Sequence, residues 1–338
     1  MLRLPRFALI EATTYADAAR LLREHGAGEL DPARGTPSLR VMTVAGGTDL
    51  FPNMKRRQFT PETLVSLQRV DGATRLALNG TLEAGAGVTL ATLATQPQIR
   101  ERWTALSLAA ASVSTPQLRN AGTIGGNLCL DTRCNWYDQS LFWRGAEGFC
   151  MKTHPEVVCR VAPSSRRCLA VASADTVPAL LALGATVRVE GAAGTREIPV
   201  AGLYREDGIR FLGIGRDDVV ASVSLPDPAG WTSTYLKLRD RGSFDFPLVG
   251  IAAAVRWDDD IVAEARVAVT GVGSRAMLVD AAAIALVGSR LEGGAIAAAA
   301  DAVHKAARPL DNTAGTISQR KRTARVFAER ALASLRPA

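Results

Sequence analysis

The sequence predicts an α+β chain in two parts. The first is a mixed α/β domain over residues 1–226 with a cysteine-rich insert at 129–172; the second, over residues 227–338, is a three-stranded antiparallel sheet followed by helices. Three observations carry this prediction. Short strand and helix patterns alternate as far as Val219-Val220-Ala221-Ser222-Val223-Ser224-Leu225, as in a mixed α/β unit. Pro226-Asp227-Pro228 closes that unit, and three strand-like runs then give way to alanine-rich helical patterns. All five cysteines fall between Cys129 and Cys168, in a stretch with no sustained periodicity.

Composition narrows the function classes. A chain of 338 residues with 47% hydrophobic and 22% charged residues can bury two or three cores. The net charge of +7 is dispersed and only 5% of residues are aromatic, so the basic-aromatic interleaving of a nucleic-acid surface is absent. Two basic clusters stand out, Lys55-Arg56-Arg57 and Arg320-Lys321-Arg322, and the second reads as the solvated face of a helix. Met1-Leu2-Arg3-Leu4-Pro5-Arg6 lacks a signal-peptide apolar run, and no stretch reaches the roughly 18 apolar residues of a membrane span. The expected compartment is the cytoplasm, where thiols stay reduced and free to bind metal.

From the N-terminus, Thr14 caps an amphipathic helix containing Tyr15, Ala18, Ala19, Leu21 and Leu22, which Gly26 ends. Residues Arg40 to Val44 form a buried strand that runs into Ala45-Gly46-Gly47-Thr48-Asp49-Leu50. Paired glycines after a strand leave amides unblocked by any Cβ, which suits a diphosphate; an ordinary strand-to-helix turn has the same look. The run is neither a Walker loop nor G-x-G-x-x-G.

Leu64 to Leu67, Leu76 to Leu78 and Leu82 to Ala84 are strands separated by the turn signals Asp71-Gly72 and Asn79-Gly80. Thr89 caps a helix holding Leu90 and Leu93, a second helix runs from Trp103 to Val113, and Ser114-Thr115-Pro116 breaks it. A second glycine turn follows at Gly122-Thr123-Ile124-Gly125-Gly126. Two such turns in one unit suit the two ends of a diphosphate-containing cofactor.

The insert is long, irregular and rich in aromatic residues, as expected of a loop that is functional or held by something other than a core. The spacing Cys134-x15-Cys150-x8-Cys159-x8-Cys168 has no C-x-x-C pair. By itself it leaves iron–sulfur, zinc and purely structural roles open. Cys129, between Leu128 and Leu130, reads as packing, and His154 as a surface residue more readily than a ligand. Asp175 is either the N-cap of the helix Ala179 to Leu183 or a carboxylate facing a cofactor hydroxyl. Strands at 186–189, 196–199, 232–239, 247–255 and 261–269 and helices at 278–287, 293–307 and 315–335 complete the chain. No HExxH or GxSxG is present, so the sequence offers no hydrolytic constellation.

Taken together, Ala45-Gly46-Gly47-Thr48-Asp49-Leu50, Thr123-Ile124-Gly125-Gly126-Asn127, and Lys237 with Asp245-Phe246-Pro247-Leu248-Val249-Gly250 resemble the FAD-binding medium subunits of the molybdenum hydroxylases, the xanthine and carbon monoxide dehydrogenase family. The resemblance covers essentially the whole chain and implies an FAD-binding domain of the PCMH type. It implies that Thr43, Val44, Ala45, Gly46, Gly47, Thr48, Asp49 and Leu50, with Gly122, Thr123, Ile124, Gly125 and Gly126, wrap the FAD diphosphate. Val113, Asn135, Asp175, Ile198 and Lys237 look like further flavin-contacting positions.

The run from Cys129 through Cys134-Asn135-Trp136-Tyr137-Asp138 looks like the insert of 4-hydroxybenzoyl-CoA reductases, which implies a [4Fe–4S] cluster on Cys134, Cys150, Cys159 and Cys168. That resemblance implies an electron-transfer subunit for reductive dehydroxylation to benzoyl-CoA. The substrate, the molybdenum cofactor and the [2Fe–2S] clusters would sit on a large and a small partner subunit, in a dimer of heterotrimers, with a ferredoxin-like electron partner. The alternative is the flavoprotein subunit of another molybdenum hydroxylase that oxidises an aromatic or heterocyclic substrate.

Overall fold

The computed structural model describes residues 3–27, 30–31, 36–37 and 39–337, so Met1, Leu2 and Ala338 at the ends of the two expected domains lie outside it. Strand β1 (Ala8–Glu11) leads into helix α1 (Tyr15–Glu24). Thr14 caps α1 by accepting from the Asp17 amide at 3.0 Å, the N-cap its side chain predicts. The short pair β2 (Leu30–Asp31) and β3 (Thr36–Pro37) precedes β4 (Val41–Val44), α2 (Leu50–Lys55) and β5 (Thr63–Ser66). β5 lies between β1 and β4, parallel to both. The turn after β4 therefore leaves the C-terminal edge of a parallel sheet, where ligands of such sheets gather.

β6 (Leu76–Asn79) and β7 (Thr81–Gly85) form a hairpin whose Gly80 sits at φ 80°, as Asn-Gly turns require. Five helices follow: α3 (Leu90–Thr95), α4 (Pro97–Arg102), α5 (Thr104–Ser112), α6 (Pro116–Ala121) and α7 (Ile124–Leu128). The insert holds only the short α8 (Leu141–Ala146). After it come α9 (Thr176–Ala182), β8 (Thr186–Gly191), β9 (Gly194–Pro199) and β10 (Val219–Leu225). β10 inserts between β7 and β8 to close a five-stranded antiparallel sheet in the order β6-β7-β10-β8-β9.

The C-terminal part is the expected meander of β11 (Trp231–Leu238), β12 (Val249–Asp258) and β13 (Ile261–Thr270), then α10 (Asp280–Leu286), α11 (Gly293–Ala306) and α12 (Ile317–Ala333). A fourth strand, β14 (Met277–Leu278), pairs with β13. The sheet thus has four strands, and the added one is too short to leave a period in the sequence.

This sheet is buried on both faces. Val249, Ile251, Ala253 and Val255 of β12 pack with α10, α11 and α12, whereas Ala252 and Ala254, with Ala268 of β13, belong to the N-terminal core beside Ala105, Ala109 and Ala110 of α5. Alternation along a strand sends successive residues to opposite faces, so a single strand serves two cores. Alanine on both sides of the second face lets helix and sheet approach closely. No described helix is long and apolar enough to cross a membrane.

One sequence expectation fails here. Arg320 is not on a solvated face but fully buried, donating to the carbonyls of Leu310 at 2.8 Å, Leu248 at 3.3 Å and Gly271. Burial pulls its guanidinium down to about 10, with Asp311 acting the other way. Three carbonyls with no water to bind need a donor, and the forked guanidinium satisfies all of them.

Candidate functional site

Two glycine turns meet. A methyl group at Gly46 would lie 1.8 Å from the Ala121 carbonyl oxygen, and one at Gly122 would lie 3.5 Å from Thr48 Oγ1. Gly47 adopts φ 67°, the left-handed conformation that glycine tolerates, and a Cβ there would also strike the Phe51 ring at 2.3 Å. Only glycine permits this approach, which is the physical content of the Gly46-Gly47 signal.

The turns differ in what they offer. Among the described residues no acceptor binds the amides of Gly46, Gly47, Thr48 or Asp49. In the second turn the amides of Gly122, Ile124 and Gly125 donate to Leu118, Val88 and Ala86, and that of Gly126 donates to Thr123 Oγ1 at 3.1 Å. Four consecutive free amides form a nest suited to an anion, whereas the amides of the second turn are spent on protein acceptors. Thr43 and Val44 reach this place through their backbone; the Val44 side chain packs with Met54, Phe59 and Leu64, and Leu50 packs against the same cluster.

Of the other expected contacts, Val113 ends α5 and its carbonyl accepts from Arg119 Nη1 at 2.8 Å. Asn135 is exposed, with its amide bound to Asn312 O at 2.8 Å. Ile198 packs on the core from β9.

Asp175 and Lys237 come together in a buried pair at 2.9 Å, with side-chain exposures of 3% and 4%. Asp175 occupies the N-cap position of α9 but makes no capping bond; its second oxygen accepts from Tyr235 OH at 2.7 Å. The capping alternative is thereby set aside. Lys237 Nζ also donates to Ser112 O at 3.1 Å and Asp245 O at 2.8 Å, so its three donors are all engaged. Burial pushes the Asp175 carboxyl up and the Lys237 ammonium down, and their pairing opposes both shifts.

In the insert, Cys134, Cys150, Cys159 and Cys168 are all buried and line one cavity with Trp136, Tyr137 and Lys152. Burial pushes the Cys134 thiol up to about 12 and the Cys168 thiol up to about 11, with Lys152 drawing the latter back. Lys152 Nζ is itself held by Asp131 at 2.7 Å, Thr132 Oγ1 at 2.6 Å and Gly208 O at 2.6 Å. The space between the thiols is about 20 Å³, about one water's worth. Among the described residues no three His, Cys, Asp or Glu side chains are gathered closely enough to hold a single metal ion. The donor set, four thiols beside a cation, matches the chemistry of a cysteine-ligated cluster.

Cys129 is an exposed residue, yet burial pushes its thiol up to about 12, so its sulfur is turned into the protein as a packing role requires. His154 stacks on Phe149 with ring centroids 4.1 Å apart and does not line the thiol cavity.

One residue of this site escaped the sequence reading. Arg133 extends from the insert to Asp49, at the end of the first glycine turn, and lies 3.4 Å from both Asn53 Oδ1 and Asp138 Oδ1. Its guanidinium stacks over Phe246 at 4.7 Å, and its Nε is buried without a hydrogen-bond partner. Burial works against its charge, but Asp49, Asp138 and Asp131 together outweigh that and hold it protonated. The only hint in the sequence is a basic residue beside Asp131 in a loop otherwise read for its thiols.

Residues 5–228 match the family described as the FAD binding domain in molybdopterin dehydrogenase, and residues 233–335 match the CO dehydrogenase flavoprotein C-terminal domain. The chain is similar to the FAD-binding subunit of aldehyde oxidoreductase from Escherichia coli, 30% identical over 303 residues that span 85% of this chain and 90% of that one. It is also similar to subunit alpha of the 6-hydroxypseudooxynicotine dehydrogenase complex of Paenarthrobacter nicotinovorans, 28% identical over 332 residues, 97% of this chain and 94% of that one. In fold it is similar to carbon monoxide dehydrogenase of Hydrogenophaga pseudoflava, with a TM-score of 0.77 at 24% identity over 98% of this chain and 97% of that one.

Proposed function

This chain belongs to the FAD-binding medium subunits of the molybdopterin dehydrogenases, and from that premise we propose a finer reading: it is an electron-transfer subunit that carries a [4Fe–4S] cluster as well as FAD. Four buried thiols facing one cavity are the observation that supports it. A mononuclear zinc would need the sulfurs drawn to about 2.3 Å of one point, whereas a four-iron cluster takes its thiolates at four separate corners.

In this reading the free amides of Gly46 to Asp49 hold the FAD diphosphate and the turn at Gly122 to Gly126 closes over it. The fixed backbone dipoles are aimed before the ligand arrives, so binding costs little reorganisation. Val113, Asn135, Asp175, Ile198 and Lys237 flank the flavin in this reading, Asp175 being held in place by Tyr235 and Lys237. Cys134, Cys150, Cys159 and Cys168 would hold the cluster as thiolates, and Lys152 beside them would offset part of their negative charge. When bound, the flavin supplies two-electron chemistry and the cluster single-electron transfer.

The insert favours the reductase branch of the family: reductive dehydroxylation of 4-hydroxybenzoyl-CoA to benzoyl-CoA. In it the substrate, molybdenum cofactor and [2Fe–2S] centres belong to partner subunits of a dimer of heterotrimers, a ferredoxin-like protein is the electron partner, and the cytoplasm is the compartment. A molybdenum hydroxylase that oxidises an aromatic or heterocyclic substrate is the second reading, favoured by the names of the relatives, which include a 6-hydroxypseudooxynicotine dehydrogenase.

Iron and sulfide analysis of the purified complex tests the cluster. Cys150→Ala or Cys159→Ala should each remove about four irons, one cluster's worth, with flavin retained at saturating FAD. Full iron in every single-cysteine variant, or zinc in its place, rejects the assignment. Turnover of 4-hydroxybenzoyl-CoA by the complex separates the first reading from the second.

A further inference from the structure

The insert is packed against the segment that follows α2 at several points. Gln58 Nε2 donates to Tyr137 O at 3.0 Å and to Asp138 Oδ1 at 3.1 Å, Arg144 Nη2 donates to Arg57 O at 2.8 Å, and the Leu141 amide donates to Arg56 O at 3.1 Å. These contacts end on the segment after α2. Arg133 goes further and pairs with Asp49 itself. Its backbone is meanwhile pinned inside the insert by paired hydrogen bonds with Val171, at 2.8 and 2.7 Å. Arg133 is thus rooted among the cysteines and ends on the turn with the free amides. With 5% side-chain exposure, its guanidinium has little room to move on its own.

We propose that Arg133 is a positioning residue that couples the two cofactor sites, so that occupancy of the Gly46 to Asp49 turn orders the cysteine loop and loading of the loop tightens the turn. The proposal rests on the placement of FAD given above. Cys134 is one residue from Arg133, and a buried charged side chain locked to Asp49 and Asp138 transmits any shift of that backbone to the turn. An anion on the turn restrains Asp49, and through it the insert. Coupling of this kind is reciprocal, and a typical size is about 5- to 150-fold in affinity or in opening equilibrium.

The test uses the full-length chain, in its complex if it co-purifies, and does not depend on iron. The iron-free protein is treated with a thiol reagent with and without saturating FAD, and labelling of Cys134, Cys150, Cys159 and Cys168 is followed by peptide mapping. FAD should slow their labelling about fivefold or more. In Arg133→Gln, with flavin occupancy checked by absorbance, the ratio should fall to within about twofold of one. Arg133→Lys keeps the charge but loses the forked reach to Asp49 and Asp138, and should be intermediate.

Either folded variant with the wild-type ratio overturns the proposal, as does a wild-type protein whose thiols ignore FAD. Iron uptake is measured separately: a wild-type chain that takes up no iron refutes the cluster while leaving the labelling ratio a valid measure of coupling.

Discussion

The ammonium of Lys237 and the carboxylate of Asp175 stand almost wholly out of water, and among the described residues each is the other's only charged partner at hydrogen-bond distance. Deleting one leaves a buried charge uncompensated, which costs about 3–5 kcal/mol; deleting both charges together costs less. Lys237→Met should therefore lower unfolding free energy by that amount, and adding Asp175→Asn should restore part of it, as measured by denaturant titration. A double variant no more stable than the single one would show that burial of the pair is not what makes the single change costly. Pairings such as this are invisible in sequence because the partners belong to different elements. Arg320 failed for the same reason: a run of basic residues says nothing of the carbonyls of Leu248, Gly271 and Leu310 that wait for a donor.

At the scale of elements, the insert has a distinct response to pH. Cys134 is raised from an ordinary 9.0 to about 12, so the folded iron-free loop binds that proton more tightly than the unfolded chain does. Its contribution to stability is complete below about pH 9 and is lost as pH rises through about 12. Iron-free protein should accordingly lose stability over that window, read as a falling melting temperature, and Cys134→Ser should flatten the fall. An unchanged slope in that variant would remove Cys134 as its source. The elements themselves were largely legible: Thr14, Thr89 and the Asn79-Gly80 turn fix local geometry by their own chemistry and fell where expected. The insert's partners were not, since an aperiodic loop takes its shape from Gln58, Gly208 and Asn312, all remote in sequence.

For the whole molecule the shared sheet matters most. Ala252, Ala254 and Ala268 face the N-terminal core while their strand neighbours face the C-terminal helices, and the Ala105 amide donates to Ser233 Oγ at 3.1 Å from one part to the other. Separating the parts would expose one face of β12 along its length. Calorimetry should therefore show one cooperative transition for the full chain; two resolved transitions would mean that the alanine seam does not join the parts. The sequence signals the two-part division through Pro226 and Pro228, but a face of alanines carries too little hydrophobic contrast to announce that it is buried.

The contact between Gly46 and Ala121 bears on biosynthesis. The turn of free amides is shaped by a carbonyl far downstream, and the buried pair of Asp175 and Lys237 lies further along the chain still. A ribosome has made about a third of the polypeptide before Ala121 exists and well over half before Lys237 does, so the nascent N-terminal portion lacks the surroundings that the proposed flavin site needs. With the flavin bound as proposed, its capture then follows synthesis of the segment that carries Lys237.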